Sequence, residues 1–232
     1  MKTALILPIY NESKYIGNVI QEAKSYVDVV IAVDDGSQDA SYEISKKAGA
    51  LALHHTINLG KSAALKTGVT AALKLGIEII IFMDSDGQHL PKDLPRFIEP
   101  IEKEGYDMII GARKGGQKMP FLRKWGNKML EWAAFFLFKC AFNDIQSGYR
   151  AFRANVYPQL DWKAESYYAD AEMTIRAVKY HLKCKQIFID TIYYDDFKGM
   201  TVVDGLNLLF QIFIWRFILG LEFNCYASSL PV

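Results

Sequence analysis

Two aspartates separated by one residue, Asp84 and Asp86, are the strongest candidates for chemistry in this sequence. They directly follow the apolar segment 77–83, which predicts a buried strand ending at the pair. Neighbouring carboxylates can bind one hard cation together, and Mg²⁺ or Mn²⁺ is the expected ion. The amide oxygen of Gln88 is a suitable further ligand. An Asp-x-Asp sequence often only caps a turn. The polar residues predicted around this pair favour a functional site over a simple turn.

Polar residues also follow the other predicted strands. At Asp34 and Asp35, a carboxylate can accept hydrogen bonds from the N–H edge of a nucleobase, or it can cap the turn into the next helix. Lys61 stands at a predicted helix start and is a candidate phosphate contact. It does not belong to a Walker A loop, because His55 occupies a position where that motif requires glycine.

The elements that must position these residues alternate between strand and helix. Buried strands are predicted at 4–7, 29–33, 51–53, 77–83 and 108–110. Helices are predicted between them at 14–25, 40–48, 62–75 and 91–104. Such alternation predicts an α/β fold with a mostly parallel sheet covered by helices on both faces. Ligands of these sheets bind beyond the carboxyl ends of the strands, where the polar clusters lie.

The second half of the chain has a less regular pattern. It predicts helices at 123–142 and around 169–180, a strand at 186–189, and an apolar helix at 206–223. Asn207 and Gln211 fall on a narrow polar stripe of that last helix, and Arg216 near its middle disfavours a membrane span. We expect this amphipathic helix to lie on a membrane or against a partner chain, with an ordinary core helix as the alternative. The predicted domains are 1–200 and 201–232.

Composition and charge indicate which binding partners and which cellular location are expected for this protein. The net charge of +1 gives no reason to expect nucleic-acid binding. A basic run between Arg113 and Lys128 suits an anionic substrate or a lipid surface. The three cysteines match no metal or redox spacing, and the apolar part of the N-terminus is too short for a signal peptide. We therefore expect a location in the cytoplasm.

Two further patterns predict no site. The four histidines have no metal-binding spacing. Asp170 and Glu172 fall on opposite faces of their predicted helix, so they are not expected to act as a carboxylate pair.

Five short motifs occur in order along residues 1–200. They are Pro8-Ile9-Tyr10-Asn11-Glu12, Val33-Asp34-Asp35-Gly36-Ser37, Asn58-Leu59-Gly60-Lys61, Asp84-Ser85-Asp86-Gly87-Gln88-His89 and Asp144-Ile145-Gln146-Ser147-Gly148-Tyr149-Arg150. Together they resemble the inverting family 2 glycosyltransferases of the GT-A fold, and more narrowly the dolichyl-phosphate mannose synthase group. The sequence departs from that group at residues 194–202, where two acids precede Lys198 and Val202 replaces the usual lysine, and it lacks the group's membrane spans.

The resemblance implies a role for each matching residue. The donor nucleotide site would comprise Pro8, Tyr10, Glu12, Asp35, Lys61 and Asp84. The Mg²⁺ or Mn²⁺ ion would be held by Asp84, Asp86 and Gln88. The catalytic residues would be Asp86, Arg113 and Asp144, the last matching an aspartate that acts as a base in some relatives. The acceptor phosphate would be contacted by Arg113, Arg123, Lys124, Ser147, Arg150 and Lys198.

The acceptor decides whether a catalytic base is needed. A sugar hydroxyl needs a base such as Asp144, whereas a phosphate with a second pKa near ~6 is already a nucleophile at neutral pH. The basic run and the apolar C-terminal helix favour transfer of mannose or glucose from a GDP or UDP donor, preferably GDP-mannose, to polyprenyl phosphate at the cytosolic face of a membrane. A soluble or glycan acceptor is the alternative. A non-catalytic partner subunit is the third interpretation, and the intact motifs argue against it.

Overall fold

The computed structural model describes residues 1–113, 121–164, 168–192, 205 and 207–217, with the backbone alone for residues 121–127. The chain divides into two compact units. The first comprises Met1–Lys114 and Ile145–Phe197, and the second comprises Gly115–Asp144 and Lys198–Val232. The predicted boundary after residue 200 stays a prediction, because it falls outside the described residues.

The first unit has the predicted alternation of strands and helices. Its strands are β1 (Thr3–Ile9), β2 (Val29–Asp34), β3 (Leu51–His54), β4 (Ile79–Phe82), β5 (Met108–Arg113), β6 (Arg150–Arg153) and β7 (Cys184–Ile189). Among the described residues up to 192, the α-helices are, in chain order, α1 (Ile16–Ala23), α2 (Ser41–Lys47), α3 (Lys61–Lys74), α4 (Leu94–Glu104), α5 (Phe121–Phe138), α6 (Tyr157–Leu160) and α7 (Tyr168–Lys179). All of these except α5 belong to the first unit.

The sheet has seven strands in the order β3-β2-β1-β4-β6-β5-β7. All neighbouring pairs are parallel except those of β6, which is antiparallel to both β4 and β5. Sequence patterning did not predict β6, because it is a four-residue strand directly after a motif of the predicted site. Its pairing with β4 places the end of the Asp144–Arg150 motif beside the strand that precedes Asp84. The mostly parallel α/β sheet is confirmed.

Two helix boundaries follow from local backbone preferences. Gly60 has φ 92° directly before α3, and Gly105 ends α4 in the left-handed conformation with φ 69°. Both conformations favour glycine because it has no Cβ. The predicted helix at 91–104 instead begins with a 3₁₀ turn over Pro91–Asp93, and the α-helix starts at Leu94.

The core of the first unit lies between the sheet and its helices. The strand β4 is fully buried, and β1 has one partly exposed residue, Pro8. This burial explains why the sequences of both strands are continuous apolar runs. A cluster of buried aliphatic and aromatic side chains joins these strands to α1 and α4. Because the strands are fixed by this packing, the residues directly after them have well-defined positions.

The second unit presents aromatic side chains to solvent. On α5, which was predicted to extend from 123 to 142, Trp132, Phe135 and Phe136 are exposed while Leu130 and Ala134 are buried. Residues 207–217 are helical, as predicted for part of 206–223, and the remainder lies outside the described residues. Three phenylalanines lie on the exposed side of that helix: Phe210, Phe213 and Phe217. No helix among the described residues is long and apolar enough to cross a bilayer.

Candidate active site

Asp84 and Asp86 lie just beyond the end of β4, as predicted. Oδ1 of Asp84 is 2.6 Å from the ammonium of Lys61, and Oδ2 is 3.6 Å from Nε2 of His89. Oδ1 of Asp86 accepts a hydrogen bond from the backbone N–H of Gln88 at 3.0 Å. Residue 87 between them is a glycine with φ 75°, a conformation that favours glycine. The chain therefore turns directly after the second carboxylate.

The two carboxylates differ in their electrostatic surroundings. Burial by itself would raise the pKa of Asp84, but the charges of Lys61 and His89 hold that pKa well below its usual range. Burial and the neighbouring Asp84 charge raise the pKa of Asp86. Burial would lower the pKa of the Lys61 ammonium, but Asp170 and Asp84 raise it above its usual value. The site therefore contains an ion pair beside a second carboxylate whose charge is poorly compensated.

Asp170 belongs to this site, although no role for it was predicted from the sequence. Its Oδ2 lies 3.1 Å from the ammonium of Lys61, and its side chain is 2% exposed. Glu172 instead pairs with Arg176 at 2.7 Å. The two acids thus contact different partners. Local sequence patterns could not predict this contact, because Asp170 is 109 positions from Lys61 in the sequence.

Arg150 has a different environment from the one implied for an acceptor-phosphate ligand. The side chain has no exposed surface. Its Nη1 donates to the backbone carbonyl of Asp170 at 2.6 Å, and its Nη2 lies 3.4 Å from Oδ1 of the same residue. Nη2 also donates to the carbonyl of Ser147. In this structure Arg150 thus holds Asp170 and does not face solvent, because the fold places β6 inside the sheet.

Gly148 lets the backbone approach the ion pair closely. A Cβ at this position would lie 2.7 and 2.8 Å from the two carboxylate oxygens of Asp84 and 2.8 Å from Nζ of Lys61. A side chain here would therefore require the ends of Asp84 and Lys61 to shift. The motif that contains Gly148 therefore forms one wall of the site. Ser147 beside it is buried, and among the described residues its hydroxyl has no hydrogen-bond partner.

Asp35 organises the loop that leads into α3. Its carboxylate accepts hydrogen bonds from the N–H groups of Leu59 at 3.0 Å and Gly60 at 2.7 Å. It also contacts Nδ1 of His55 at 2.7 Å, and the other ring nitrogen of His55 is 2.9 Å from the hydroxyl of Thr67. Sequence patterns predicted no role for His55. These contacts fix the start of α3, and hence the position of Lys61.

The remaining predicted donor residues lie after β1 and at its end. The carbonyl of Pro8 accepts a hydrogen bond from the hydroxyl of Ser85 at 2.7 Å, which joins the ends of β1 and β4. Tyr10 is 44% exposed. Glu12 is nearly buried, and its N–H donates to the hydroxyl of Ser41 at 2.8 Å. The carboxyl edge of the sheet therefore brings these residues and Asp84 to one side of the first unit.

The other predicted residues belong to several different segments of the chain. Arg113 ends β5 in the first unit and is partly exposed. Asp144 belongs to the second unit, has φ 47°, and donates its N–H to Glu131 at 3.0 Å. The side chains of Arg123 and Lys124 lie outside the described part of the structure, and so does Lys198.

The aspartate pair fits a cation that takes its other ligands from phosphate and water. Within the described ranges, no group of three or more His, Cys, Asp or Glu side chains is arranged around a metal position. Mg²⁺ is usually held by only one or two carboxylates together with substrate phosphates. The raised pKa of Asp86 reflects negative charge that a divalent cation would offset. The residues present therefore suit an Mg²⁺ or Mn²⁺ ion that is also coordinated by a phosphate group.

Comparison with known proteins identifies the family. Residues 4–158 match the model of glycosyl transferase family 2, which covers β1 to β6 and both aspartates of the pair. The chain belongs to glycosyl transferase family 2.

Relatives of this glycosyltransferase include enzymes that act on lipid phosphates. The chain is 37% identical over 222 residues to an uncharacterised protein of Methanocaldococcus jannaschii, with 91% of each chain covered. It is 32% identical to the UDP-N-acetylglucosamine–dolichyl-phosphate N-acetylglucosaminyltransferase of Methanococcus voltae, covering 91% of this chain and 95% of that protein. It is 28% identical to the polyprenol monophosphomannose synthase of Mycolicibacterium smegmatis, covering 92% and 86%.

Solved structures agree on the fold. Glucosyl-3-phosphoglycerate synthase of Mycobacterium tuberculosis in complex with UDP matches this family 2 chain with a TM-score of 0.74 at 19% identity, covering 93% of this chain and 78% of that one. The same enzyme with Mn²⁺, UDP and glucosyl-3-phosphoglycerate matches with a TM-score of 0.72. At this identity the likeness establishes the GT-A fold and nothing further about substrates.

Proposed function

We propose that this glycosyltransferase moves a hexose from a nucleoside diphosphate sugar to a polyprenyl phosphate, with inversion at the sugar. The main support is its similarity, over nine-tenths of the chain, to an enzyme named for dolichyl phosphate. That relative is named for UDP-N-acetylglucosamine, and another is named for mannose transfer. GDP-mannose, the donor that the sequence resemblance favours, remains our proposed donor, with UDP sugars as the tested alternatives.

The donor diphosphate is proposed to bind at the aspartate pair. Asp84, Asp86 and Gln88 would hold Mg²⁺ or Mn²⁺. When bound there, the cation would offset the negative charge that develops on the leaving nucleoside diphosphate. Lys61 supplies a fixed positive charge at the first residue of α3 and 2.6 Å from Asp84. Anionic groups are also stabilised by the N–H groups at a helix start.

The nucleoside is proposed to bind along the ends of β1 and β2. Pro8, Tyr10 and Glu12 would line the pocket, with the exposed Tyr10 ring offering an apolar face. Both oxygens of Asp35 already accept N–H groups from the loop before α3. Asp35 would therefore support donor binding by holding Lys61 in place.

The acceptor phosphate is proposed to act as its own nucleophile. A phosphate monoester carries between one and two negative charges at pH 7 and needs no base to remove a proton. Cationic side chains would then orient it, and the candidates are Arg113, Arg123, Lys124 and Lys198. Ser147 remains a candidate through its hydroxyl, whereas Arg150 is now proposed to position Asp170.

The second unit is proposed to contact the membrane that contains the acceptor. Phe136 is 71% exposed and Phe217 is 75% exposed. Such aromatic side chains gain free energy by leaving water for the lipid interface, and basic residues beside them are attracted to anionic headgroups. Lys128 is exposed on the same helix as Phe136, and Lys139 is exposed directly after the end of that helix. The two described cysteines, Cys140 and Cys184, are free thiols, which supports the cytosolic face of that membrane.

A transfer assay tests this function. The protein is incubated with Mn²⁺, a polyprenyl phosphate and labelled GDP-mannose, UDP-glucose or UDP-N-acetylglucosamine, and label is measured in the organic phase. We expect label to enter the lipid with one donor, to stop with chelator, and to resume with added Mn²⁺. Transfer of label only to a water-soluble acceptor would overturn the proposed lipid acceptor. Absence of transfer and of nucleotide binding with every donor would overturn the enzyme assignment itself.

A further inference from the structure

Four charged side chains from distant parts of the chain form one network behind the aspartate pair. The ammonium of Lys61 lies between two carboxylates, 2.6 Å from Asp84 and 3.1 Å from Asp170. Asp170 in turn contacts Arg150. The network contains two positive and two negative groups, so the charges of these four side chains balance one another. Asp86 lies outside the network and contributes a further carboxylate to the cation site.

Asp170 is more deeply buried than its partner Lys61, whose side chain is 19% exposed. It is 2% exposed, and its neighbour Arg150 has no exposed surface. Arg150 donates to the backbone carbonyl of Asp170, and so does the hydroxyl of Thr174 at 3.0 Å. Lysine, by contrast, has a flexible four-carbon stem and a point charge that can move between acceptors. A buried carboxylate on one side of a longer, more exposed ammonium favours one direction for that ammonium.

We propose that Asp170 is a positioning residue that holds the ammonium of Lys61 against Asp84, ready for the donor diphosphate. The diphosphate part of this inference rests on the proposed function. The link between Asp170 and Lys61 does not depend on it. Ordering the lysine in the folded protein removes an entropy cost that would otherwise be incurred on donor binding, so affinity for the nucleotide increases.

The same helix offers a matched control. Glu172 is also buried and also forms an ion pair, but with Arg176. Its other oxygen accepts the N–H groups of Lys163 and Ala164. Replacing either acid by its amide removes one buried charge from α7. Only the change at Asp170 removes a contact with Lys61.

The first experiment measures acetylation of Lys61 by a small reagent, followed by mass spectrometry, without any nucleotide. We expect Asp170→Asn to speed acetylation of Lys61 by about tenfold, because a charged hydrogen bond to the ammonium is lost. Glu172→Gln is expected to leave the Lys61 rate at the wild-type value. Equal rates in wild type and Asp170→Asn would overturn the proposal. If Asp170→Asn does not fold, Asp170→Glu serves instead, because it retains the charge beside Arg150 but shifts the carboxylate. A Lys61 rate unchanged in that variant also overturns the proposal.

The second experiment measures the dissociation constant for GDP or UDP with Mn²⁺ by calorimetry. Asp170→Asn is expected to raise it about tenfold, and Glu172→Gln to leave it unchanged. In a Lys61→Met background, Asp170→Asn should have little further effect, because its action passes through the ammonium. An undiminished effect in that background would overturn the positioning role. If the wild type bound neither nucleotide, the proposed function would fail, while the acetylation result would still decide whether Asp170 holds Lys61.

Discussion

The ammonium of Lys61 lies 2.6 Å from Oδ1 of Asp84, so the first residue of α3 meets the residue that follows β4 across the carboxyl edge of the sheet. This contact places a positive and a negative group side by side. In the proposed site, the ammonium would face the phosphates of a nucleoside diphosphate and the carboxylate would face its cation. It also explains the low pKa of Asp84, because the ammonium stabilises the charged form against the cost of burial. The contact is the geometric basis for the predictions about the donor site.

Changing Asp86→Asn should weaken cation-dependent donor binding. The substitution keeps the size of the side chain and removes the charge that Asp84 and Lys61 leave uncompensated. We expect transfer activity to fall roughly 10²-fold, as when other groups that stabilise developing charge are removed. Calorimetry with Mn²⁺ and nucleotide gives the binding part. Asp28→Asn is the control, since Asp28 holds Thr3 at the opposite edge of the sheet. Wild-type nucleotide affinity in Asp86→Asn would contradict the cation site.

Gly148→Ala should damage the site without unfolding the protein. The new Cβ would fall within 2.8 Å of both Asp84 oxygens and of Nζ of Lys61, so the ion pair must shift. We expect the dissociation constant for nucleotide with Mn²⁺ to rise about tenfold or more, since misplacing charged groups weakens binding and catalysis strongly. In the control Gly17→Ala, the Cβ meets only the end of the Ile44 side chain at 3.1 Å. Equal nucleotide binding in both variants would argue against a tight approach at Gly148.

Asp144→Asn separates the two classes of acceptor. Asparagine tolerates the left-handed conformation that Asp144 adopts at φ 47°, so the backbone should be preserved. With polyprenyl phosphate as acceptor we expect kcat to change less than about threefold, because the phosphate needs no base. A loss of roughly 10²-fold or more with unchanged donor affinity would instead identify Asp144 as a general base for a hydroxyl acceptor.

Phe136→Ser should reduce attachment to lipid vesicles. Burying a phenylalanine side chain is worth about 1.5–3 kcal/mol, so the partition coefficient should fall about tenfold or more if that ring enters the interface. Co-sedimentation with vesicles containing anionic lipid measures this effect. Leu73→Ser in the first unit is the control, because Leu73 is also exposed but lies on α3. An identical small effect of both changes would argue against a lipid-facing α5.

The contribution of Asp39 to stability should depend on pH. Burial would raise the pKa of Asp39, but hydrogen bonds from Ser41 and Ser13 lower it from 3.8 to about 2. A lowered pKa in the folded state means that the ionised form stabilises the fold above pH ~4 and that this benefit disappears as pH falls towards ~2. The difference in urea midpoint between wild type and Asp39→Asn should therefore be larger at pH 6 than at pH 3. A difference that grew on acidification would contradict the assignment.

Much of the fold could be predicted from local sequence patterns. The strands β1, β2 and β4 are buried on both faces, so they read as uninterrupted apolar runs followed by polar residues. The strand β6 could not be predicted in this way. Its four residues include Arg150 and Arg153, and its place between β4 and β5 is decided by pairing with segments far away in sequence.

Local sequence patterns likewise predicted only part of the candidate site. Asp84, Asp86, Asp35 and Lys61 stand at element ends, which local patterns indicate. Asp170 lies inside a helix and has no distinguishing neighbours, so only the packing of α7 against the sheet brings it to Lys61. Arg150 had been expected to face phosphate, but the fold buries it against Asp170.

The amino-acid sequence by itself determined where strands end and which carboxylates follow them, because burial and backbone preferences act over a few neighbouring residues. It also determined the family, through motifs that keep their order along the chain. Only the tertiary structure decided that Lys61 lies between Asp84 and Asp170, and that a side chain at Gly148 would displace this ion pair. Those relationships depend on contacts between segments tens of residues apart, and they form only when the sheet is assembled.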